Sequence, residues 1–115
     1  MESILKSIRK TCNIPEDSTT FDTDLIMQIN TAFMNLTQMG VGPTDGFIVK
    51  GEYEKWSDFI SEDDKKHEGV KTYVFLKTKL VFDPPPSSTV LQSYNETIKE
   101  LEWRLNVAAE TKADV

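Results

Sequence analysis

The stretch FDTDLIMQINTAFMNLTQMG, residues 21–40, decides the fold because it has the pattern of one long amphipathic helix with signals at both ends. Its apolar residues recur at intervals of three and four, the spacing that places side chains on one face of a helix. The pattern predicts a helix over residues 22–39 that packs into a largely helical core. The members of this stripe are Leu25, Ile29, Ala32, Phe33, Leu36 and Met39.

Both ends of this helix carry boundary signals. Asp22 is predicted to cap its start, since a carboxylate there can accept hydrogen bonds from the first free amides. Phe21 and Ile26 would then form a hydrophobic staple across the cap. At the other end Gly40 provides a left-handed stop, with Val41 placed to touch the last turn as in a Schellman ending.

Upstream, a short first helix is predicted from Ile4, Leu5 and Ile8, with Cys12 continuing the same stripe and NIPEDSTT ending it. Cys12 is the one cysteine, so no internal disulfide can form, which fits a reducing interior. Its place on an apolar stripe, with no histidine near it in sequence, favours a buried structural thiol over a nucleophile.

Downstream, residues 41–60 predict an irregular excursion from the helices. VGPTDG is turn chemistry, FIVKG is short and β-branched, and EYEKWSDFI can form a short helix. The expectation is therefore a loop or a short β-hairpin, on a segment that projects from the bundle. SEDDKKHEG, residues 61–69, is expected to be a charged loop.

A second long helix is predicted from Gly69 to about Asp83. Three apolar residues, Phe75, Leu76 and Phe82, lie off its main stripe, so this helix is apolar on more than one side and is expected to be central or to touch something else. The main stripe consists of Val70, Tyr73, Val74, Lys77, Leu80 and Val81.

The stretch LVFDPPPSST, residues 80–89, forms a stiff joint between two helices. Pro84 disfavours helical geometry at Asp83, so the preceding helix ends there. Pro84, Pro85 and Pro86 in polyproline geometry would span about 9 Å without collapsing. Two interpretations stay open, a rigid interhelix turn and a device that fixes how the last helix is presented.

The last helix is predicted over residues 89–110, roughly 30 Å long. Thr89 or a preceding serine can cap it, and Gln92 can complete a capping box with Thr89. Glu100 and Arg104 can pair along its outer face. Trp103 lies off the apolar stripe, so either a second packing face or a partner must cover it. The stripe is Leu91, Tyr94, Ile98, Leu101, Leu105 and Ala108.

Composition supports one small domain. The chain has 115 residues, of which 38 % are hydrophobic and 28 % charged, with a net charge of −6. The prediction is a mainly α fold, a small bundle of about four helices in a single domain. This domain, 1–115, divides into an N-terminal helix and loop (1–20), core helices (21–83) with a loop region (41–68), a proline-rich joint (84–88) and a C-terminal helix (89–110).

The charge balance and the motifs argue against several function classes. An acidic chain without a basic patch does not suit a protein that grips nucleic acid. No stretch has the length of a membrane span or of a secretory signal. His67 lies in DDKKHEG, a solvated context, and Glu62, Asp63 and Asp64 lack the ligand spacing of a calcium loop. No catalytic residue, cofactor or metal is therefore predicted, and the protein is not expected to be an enzyme.

The aromatic residues carry the strongest functional signal. Trp103 and Arg104 belong to the residue types that dominate protein interfaces. Trp56 and Phe59 raise the same possibility on the excursion, together with Phe47. These five residues are the candidate interface, and Asp83 with the three prolines forms the structural joint.

Four segments, in order and at this spacing, resemble one family: INTAFMNLTQMGVGPTDGF, WSDFI, VKTYVFLKTKLVFDPPPSS and ELEWRLNV. The family is that of the small head–tail connector (adaptor, or head-completion) proteins of tailed bacteriophages and prophages of Gram-positive bacteria. The resemblance runs from about Ile29 to Glu110.

The resemblance implies a structural virion protein at the head–tail interface, made in the cytoplasm of a bacterial host. It also implies that about twelve copies form a ring below the portal protein, in which subunit contacts would repeat until they close a cycle. The ring would extend the DNA channel without binding DNA specifically, and would offer a docking surface for the next connector, a stopper or a tail component. The contacts would match residues 41–60 and 88–110. The alternative is a small monomeric helical module that recruits one protein partner.

Overall fold

Five helices account for most of the chain in the computed structural model, which describes residues 2–113. Within that range the extended backbone pairs only at one isolated bridge, between Ser3 and Lys55. The predicted mainly helical bundle is therefore confirmed, and residues 41–60 form a loop with one helical turn rather than a β-hairpin. The helices are α1 (Ile4–Thr11), α2 (Asp22–Gln38), α3 (Trp56–Phe59), α4 (His67–Phe82) and α5 (Ser88–Ala113).

The central helix is α4, which packs against α1, α2 and α5. Val70, Tyr73 and Val74 are fully buried on it, and Phe75 and Leu76, which lie off that stripe, pack against the core from the sides. This confirms that α4 is apolar on more than one side because it has several neighbours. Val81 departs from the prediction: it is exposed, beside a groove at the start of α2.

Helix α1 buries its predicted stripe. Ile4, Leu5 and Ile8 are inaccessible to solvent, and Cys12 follows them into the core. Burial raises the pKa of the Cys12 thiol to about 11, so the thiol is neutral near pH 7. The prediction of a buried structural cysteine is confirmed.

The C-terminal end of α2 has the predicted Schellman geometry. The Val41 amide donates to the Leu36 carbonyl at 2.9 Å, and the Gly40 amide donates to the Thr37 carbonyl at 3.0 Å. Gly40 has φ of +87°, a backbone conformation that costs little only for glycine. Val41 is buried against the core, which supplies the apolar contact of the motif.

The prediction that Asp22 caps the start of α2 is wrong. Asp22 is the first helical residue, and Phe21 flanks the helix without a side-chain cap. Phe21 is also exposed, so the predicted staple with Ile26 is not the device that fixes this end. The carboxylate of Asp22 instead accepts from the Arg9 guanidinium, Nε to Oδ1 at 2.9 Å and Nη2 to Oδ2 at 2.5 Å. A bidentate pair with a buried cation outcompetes capping of exposed amides.

Buried Arg9 joins three parts of the chain. Besides Asp22, its Nη1 donates to the Glu16 carbonyl and to Glu52 Oε2, both at 2.6 Å. The hydrogen bond to Asp22 raises the pKa of Arg9 above its already high ordinary value, so the guanidinium stays charged. The start of α2 and the loop near Glu52 are thus fixed to α1.

The loop between α2 and α3 is held by side chains instead of strand pairing. The Asn30 amide donates to the Val49 carbonyl at 3.0 Å, and its oxygen accepts from the Val49 amide at 2.8 Å. Phe47 and Val49 point inward while Ile48 is exposed. Because one asparagine satisfies both backbone groups of Val49, this extended segment needs no partner strand there.

Candidate protein–protein interface

The proline joint is clamped to the end of α1. The Asp83 carboxylate accepts from Lys79 Nζ and from Asn13 Nδ2, each at 2.7 Å. Lys79 Nζ also donates to the Thr11 carbonyl at 3.2 Å. The hydrogen bond from Lys79 lowers the pKa of Asp83, which therefore stays ionised at neutral pH. These contacts fix the point from which Pro84 departs.

Beyond the prolines, Ser87 caps α5. Its Oγ accepts from the Val90 amide at 3.4 Å, and its carbonyl accepts from the Leu91 amide at 3.0 Å. This confirms capping by a serine before Thr89. The predicted capping box of Thr89 with Gln92 is wrong, because the Gln92 amide donates to Glu96 one turn further on at 3.2 Å.

The first turns of α5 lie outside the bundle. Every residue from Ser88 to Ser93 is exposed, although Val90 and Leu91 are apolar. The same stripe becomes buried at Ile98 and Leu105. The first part, residues 88–95, which is exposed except for the half-buried Tyr94, is here called the α5 start.

The second half of α5 is docked on α4 and on the end of α2. The Tyr73 hydroxyl donates to Glu102 Oε2 at 2.8 Å and accepts from Asn35 Nδ2 at 3.4 Å. Burial raises the pKa of Tyr73, so the hydroxyl remains a donor. A Cβ on Gly40 would approach the Ala109 Cβ to 3.3 Å. These contacts fix the rotation of α5 about its axis.

That rotation turns Trp103 outward. Its side chain is 66 % exposed and borders a shallow groove with Asn35, Gln38 and Met39 of α2. The bundle therefore does not supply the second packing face considered from the sequence. The predicted pair of Glu100 with Arg104 is confirmed at 2.8 Å on the same exposed side of the helix.

Trp56 and Phe59 lie in the core. Trp56 is 3 % exposed, its Nε1 donates to Ser7 Oγ at 3.0 Å, and its ring meets Phe75 edge-on at 5.5 Å. The Phe59 ring lies 4.6 Å from Phe33. The expectation that this segment projects from the bundle is wrong, because α3 folds its aromatic rings onto Phe33 of α2. Trp56 and Phe59 are therefore not proposed as interface residues.

Phe47 has an intermediate position. It is half-buried against Phe33 at 5.1 Å and Phe59 at 5.3 Å, and it lines a surface groove with Met34 and Ile48. One face of its ring thus belongs to the core and the other to this groove.

His67 is not in a solvated loop, as its sequence context indicated. It is the first residue of α4 and is 8 % exposed, since the helix begins earlier than predicted and turns the ring inward. Across residues 2–113, no group of three or more His, Cys, Asp and Glu side chains is arranged to hold a metal ion. None of the helices described for this range is long and apolar enough to cross a membrane.

One exposed surface was missed from the sequence. The solvent side of α2 carries a second stripe, called here the outer stripe, at spacings of four, three and four residues. Met27 and Met34, its two apolar members, are 62 % and 54 % exposed. The buried stripe of the same helix hid this signal, because both repeat with the helical period. The outer stripe consists of Met27, Thr31, Met34 and Gln38.

Comparison with known proteins gives a result at the level of the family. A family model described as phage connector protein matches residues 4–112. The matched range contains α1 to α4 and all of α5 except Ala113, together with the joint and the outer stripe. No curated protein and no solved structure matches the chain.

Proposed function

Because this chain belongs to the phage connector protein family, we propose that it assembles into a ring at the head–tail interface, below the portal protein. Membership makes it a structural component of the virion that associates with other head and tail proteins. The proposal adds about twelve copies in a closed cycle of head-to-tail contacts. The ring would extend the DNA channel and present a docking surface for the next connector or tail component.

The exposure of Trp103 is the observation that carries this proposal. Trp103 is 66 % exposed, although other residues dock its helix on the bundle. Packing of the core therefore does not explain why a tryptophan stands there. Tryptophan and arginine are enriched among the residues that dominate binding energy at interfaces. Trp103 and the neighbouring Arg104 are therefore proposed to contact another subunit or the portal protein, with Val107 one turn further along.

The joint supports the same role. Asp83 fixes the start of the proline segment to α1 and α4, and Ser87 begins α5 directly after it. Pro84, Pro85 and Pro86 leave little freedom between these two points. In the proposed ring, all copies would hold α5 at the same angle, as a repeated contact requires. Residues 1–115 would act as one connector domain.

The charge of the chain suits a channel that DNA passes through. With a net charge of −6, a ring of copies would repel the phosphate backbone instead of binding it. DNA would therefore slide past the lining during packaging and ejection. We propose neither specific nucleic-acid binding nor catalysis.

Mixing the purified protein with the portal protein of the same phage tests the proposal. Light scattering and negative-stain imaging should reveal rings on the portal, or free rings of the same size. A protein that stays monomeric in both conditions and on purified virions would contradict it. A monomer that bound one other phage protein would instead identify the alternative, a small recruiting module.

A further inference from the structure

Charged residues are absent from two segments of this chain that each include a solvent-exposed surface. Residues 25–44 contain none, and residues 84–95 contain none, although 28 % of the whole chain is charged. The first segment includes the outer stripe of α2 and the second includes the α5 start. Both surfaces face solvent in the single chain, so burial in its own core does not account for the absence of charge.

The outer stripe has the shape of a helix-binding surface. Its residues recur at spacings of four and three, and they run about 16 Å along α2. Grooves flank it on both sides. Asp24, Val81 and Phe82 line one beside Met27, and Asp45, Phe47, Ile48 and Lys50 line the other beside Met34. The charged groups therefore border the stripe and are not part of it. Methionine side chains adapt to the shape of what packs on them.

The α5 start has the shape of the helix that would fit. It is about 10 Å long and carries Val90 and Leu91 in a run without charged residues, and the first carboxylate beyond it, Glu96, accepts from Gln92. It is held rigidly at the joint, so little freedom is lost when it docks. The α5 start is shorter than the outer stripe, so it can lie along the stripe over its whole length.

We infer that neighbouring copies of this chain meet through these two surfaces, with the α5 start of one copy packed on the outer stripe of α2 of the next. The partner that binds these surfaces is assigned as a second copy of this chain on the basis of charge. Two copies at −6 each repel one another, and the repulsion is least where both contacting surfaces are uncharged. A basic partner would be attracted most strongly by an acidic surface, and it would gain no charge attraction from the outer stripe or the α5 start.

The contact is directional because the two surfaces differ. A contact between different surfaces repeats from copy to copy and closes as a ring or continues as a filament. This inference rests on the proposed function, to which it assigns the subunit contact.

Engineered disulfides test the contact directly. Two variants are made in a Cys12→Ala background, one with Met34→Cys and one with Leu91→Cys. Each is checked by circular dichroism, and assembly on the portal protein is checked by negative-stain imaging. After oxidation, the two variants mixed together should give a covalent dimer, whereas each alone should give none. A chain with both cysteines should give a ladder of multimers.

Each outcome of the cross-linking has one meaning. A dimer from Leu91→Cys alone would show that two α5 starts meet, which overturns the inferred pairing. Rings in the electron micrographs without the mixed dimer would overturn the contact but leave the proposed function standing. Absence of any assembly by all variants and by the unmodified chain would defeat both.

A matched pair of charge substitutions gives a second test without cysteines. Thr31→Glu places a carboxylate on the outer stripe, and Thr72→Glu places the same group on the exposed side of α4. Thr31→Glu should weaken assembly by about tenfold or more, since it buries a like charge between acidic copies. Thr72→Glu should have no such effect, and equal loss in both variants would contradict the contact.

Discussion

The loop of residues 41–60 has an irregular backbone but contributes side chains to the core, whereas the α5 start is regular helix and contributes almost none. The loop has almost no regular structure, yet Val49 and Trp56 within it are buried and hydrogen-bonded. The α5 start is regular helix, yet it buries almost nothing. Regular backbone and contribution to the core are therefore separate properties in this chain.

The difference follows from where each segment finds its partners. The loop lies against α2, where Asn30 satisfies its backbone and Phe33 receives its aromatic rings. The α5 start satisfies its own backbone within the helix, so it can extend beyond the bundle without leaving polar groups unpaired. One segment specifies the fold, and the other is available for assembly.

Substitution of Trp56, the buried tryptophan of the loop, should have the largest effect on stability. Trp56→Ala removes an indole from the core and leaves Ser7 without its donor, so the free energy of unfolding should fall by about 3–5 kcal/mol. Urea denaturation followed by circular dichroism measures it. A loss under about 1 kcal/mol would mean that the loop does not specify the fold as described.

Two glycines of the loop form a matched pair with a smaller effect. Gly42 and Gly46 have φ of +86° and +88°, so both lie in the left-handed region. A Cβ on Gly42 would overlap the Phe59 ring, whereas one on Gly46 would meet nothing within 4 Å. Gly46→Ala should cost about 1 kcal/mol of backbone strain. Gly42→Ala should cost about 1–3 kcal/mol more because Phe59 must move. Equal losses in urea denaturation would show that the ring is not closely packed there.

Cys12 predicts a loss of stability in alkali. Its folded-state pKa is raised to about 11 from an ordinary value of 9.0, so its contribution is fully present below pH 9 and is lost as pH rises through 11. The unfolding free energy of the unmodified chain should therefore fall more steeply between pH 9 and 11 than that of Cys12→Ala. Parallel curves for the two proteins would contradict the assignment.

The joint should matter more to assembly than to folding. Replacing Pro84, Pro85 and Pro86 by Gly, Ser and Gly increases the freedom of the unfolded chain and should lower the unfolding free energy by about 1–2 kcal/mol. The circular dichroism spectrum should be unchanged, while binding to the portal protein weakens. Unchanged binding would mean that the prolines form only a rigid interhelix turn.

Trp103→Ala should have the smallest effect on stability and a clear effect on assembly. The side chain is exposed, so the unfolding free energy should change by no more than about 0.5 kcal/mol. Association with the portal protein or the next component should fall, as measured by co-sedimentation. Unfolding of this variant would place Trp103 in the core and contradict the interface proposal.

The helices could be predicted because their signals are local. The Schellman ending needs only Gly40 and its neighbours, and the stripe of α1 needs only a few apolar residues at helical spacing. The central position of α4 followed from its apolar residues on several sides. Each of these features is decided within one or two turns of the chain.

What could not be predicted depends on partners distant in sequence. Arg9 takes the carboxylate of Asp22 and thereby removes the expected cap, and nothing near Arg9 in the sequence indicates this. Trp56 pairs with Ser7, 49 positions away. Only the fold could tell that Trp56 is core and Trp103 is surface, since both look like exposed hot-spot residues in their local context.

Backbone hydrogen exchange, compared between the free chain and the chain assembled on the portal protein, tests the central claim most directly. Residues 51–60 of the loop are part of the fold, so their amides should exchange at the same rate in both states. Amides of the α5 start should exchange fast in the free chain and become protected on assembly. Protection that appears in the loop and not in the α5 start would contradict the account.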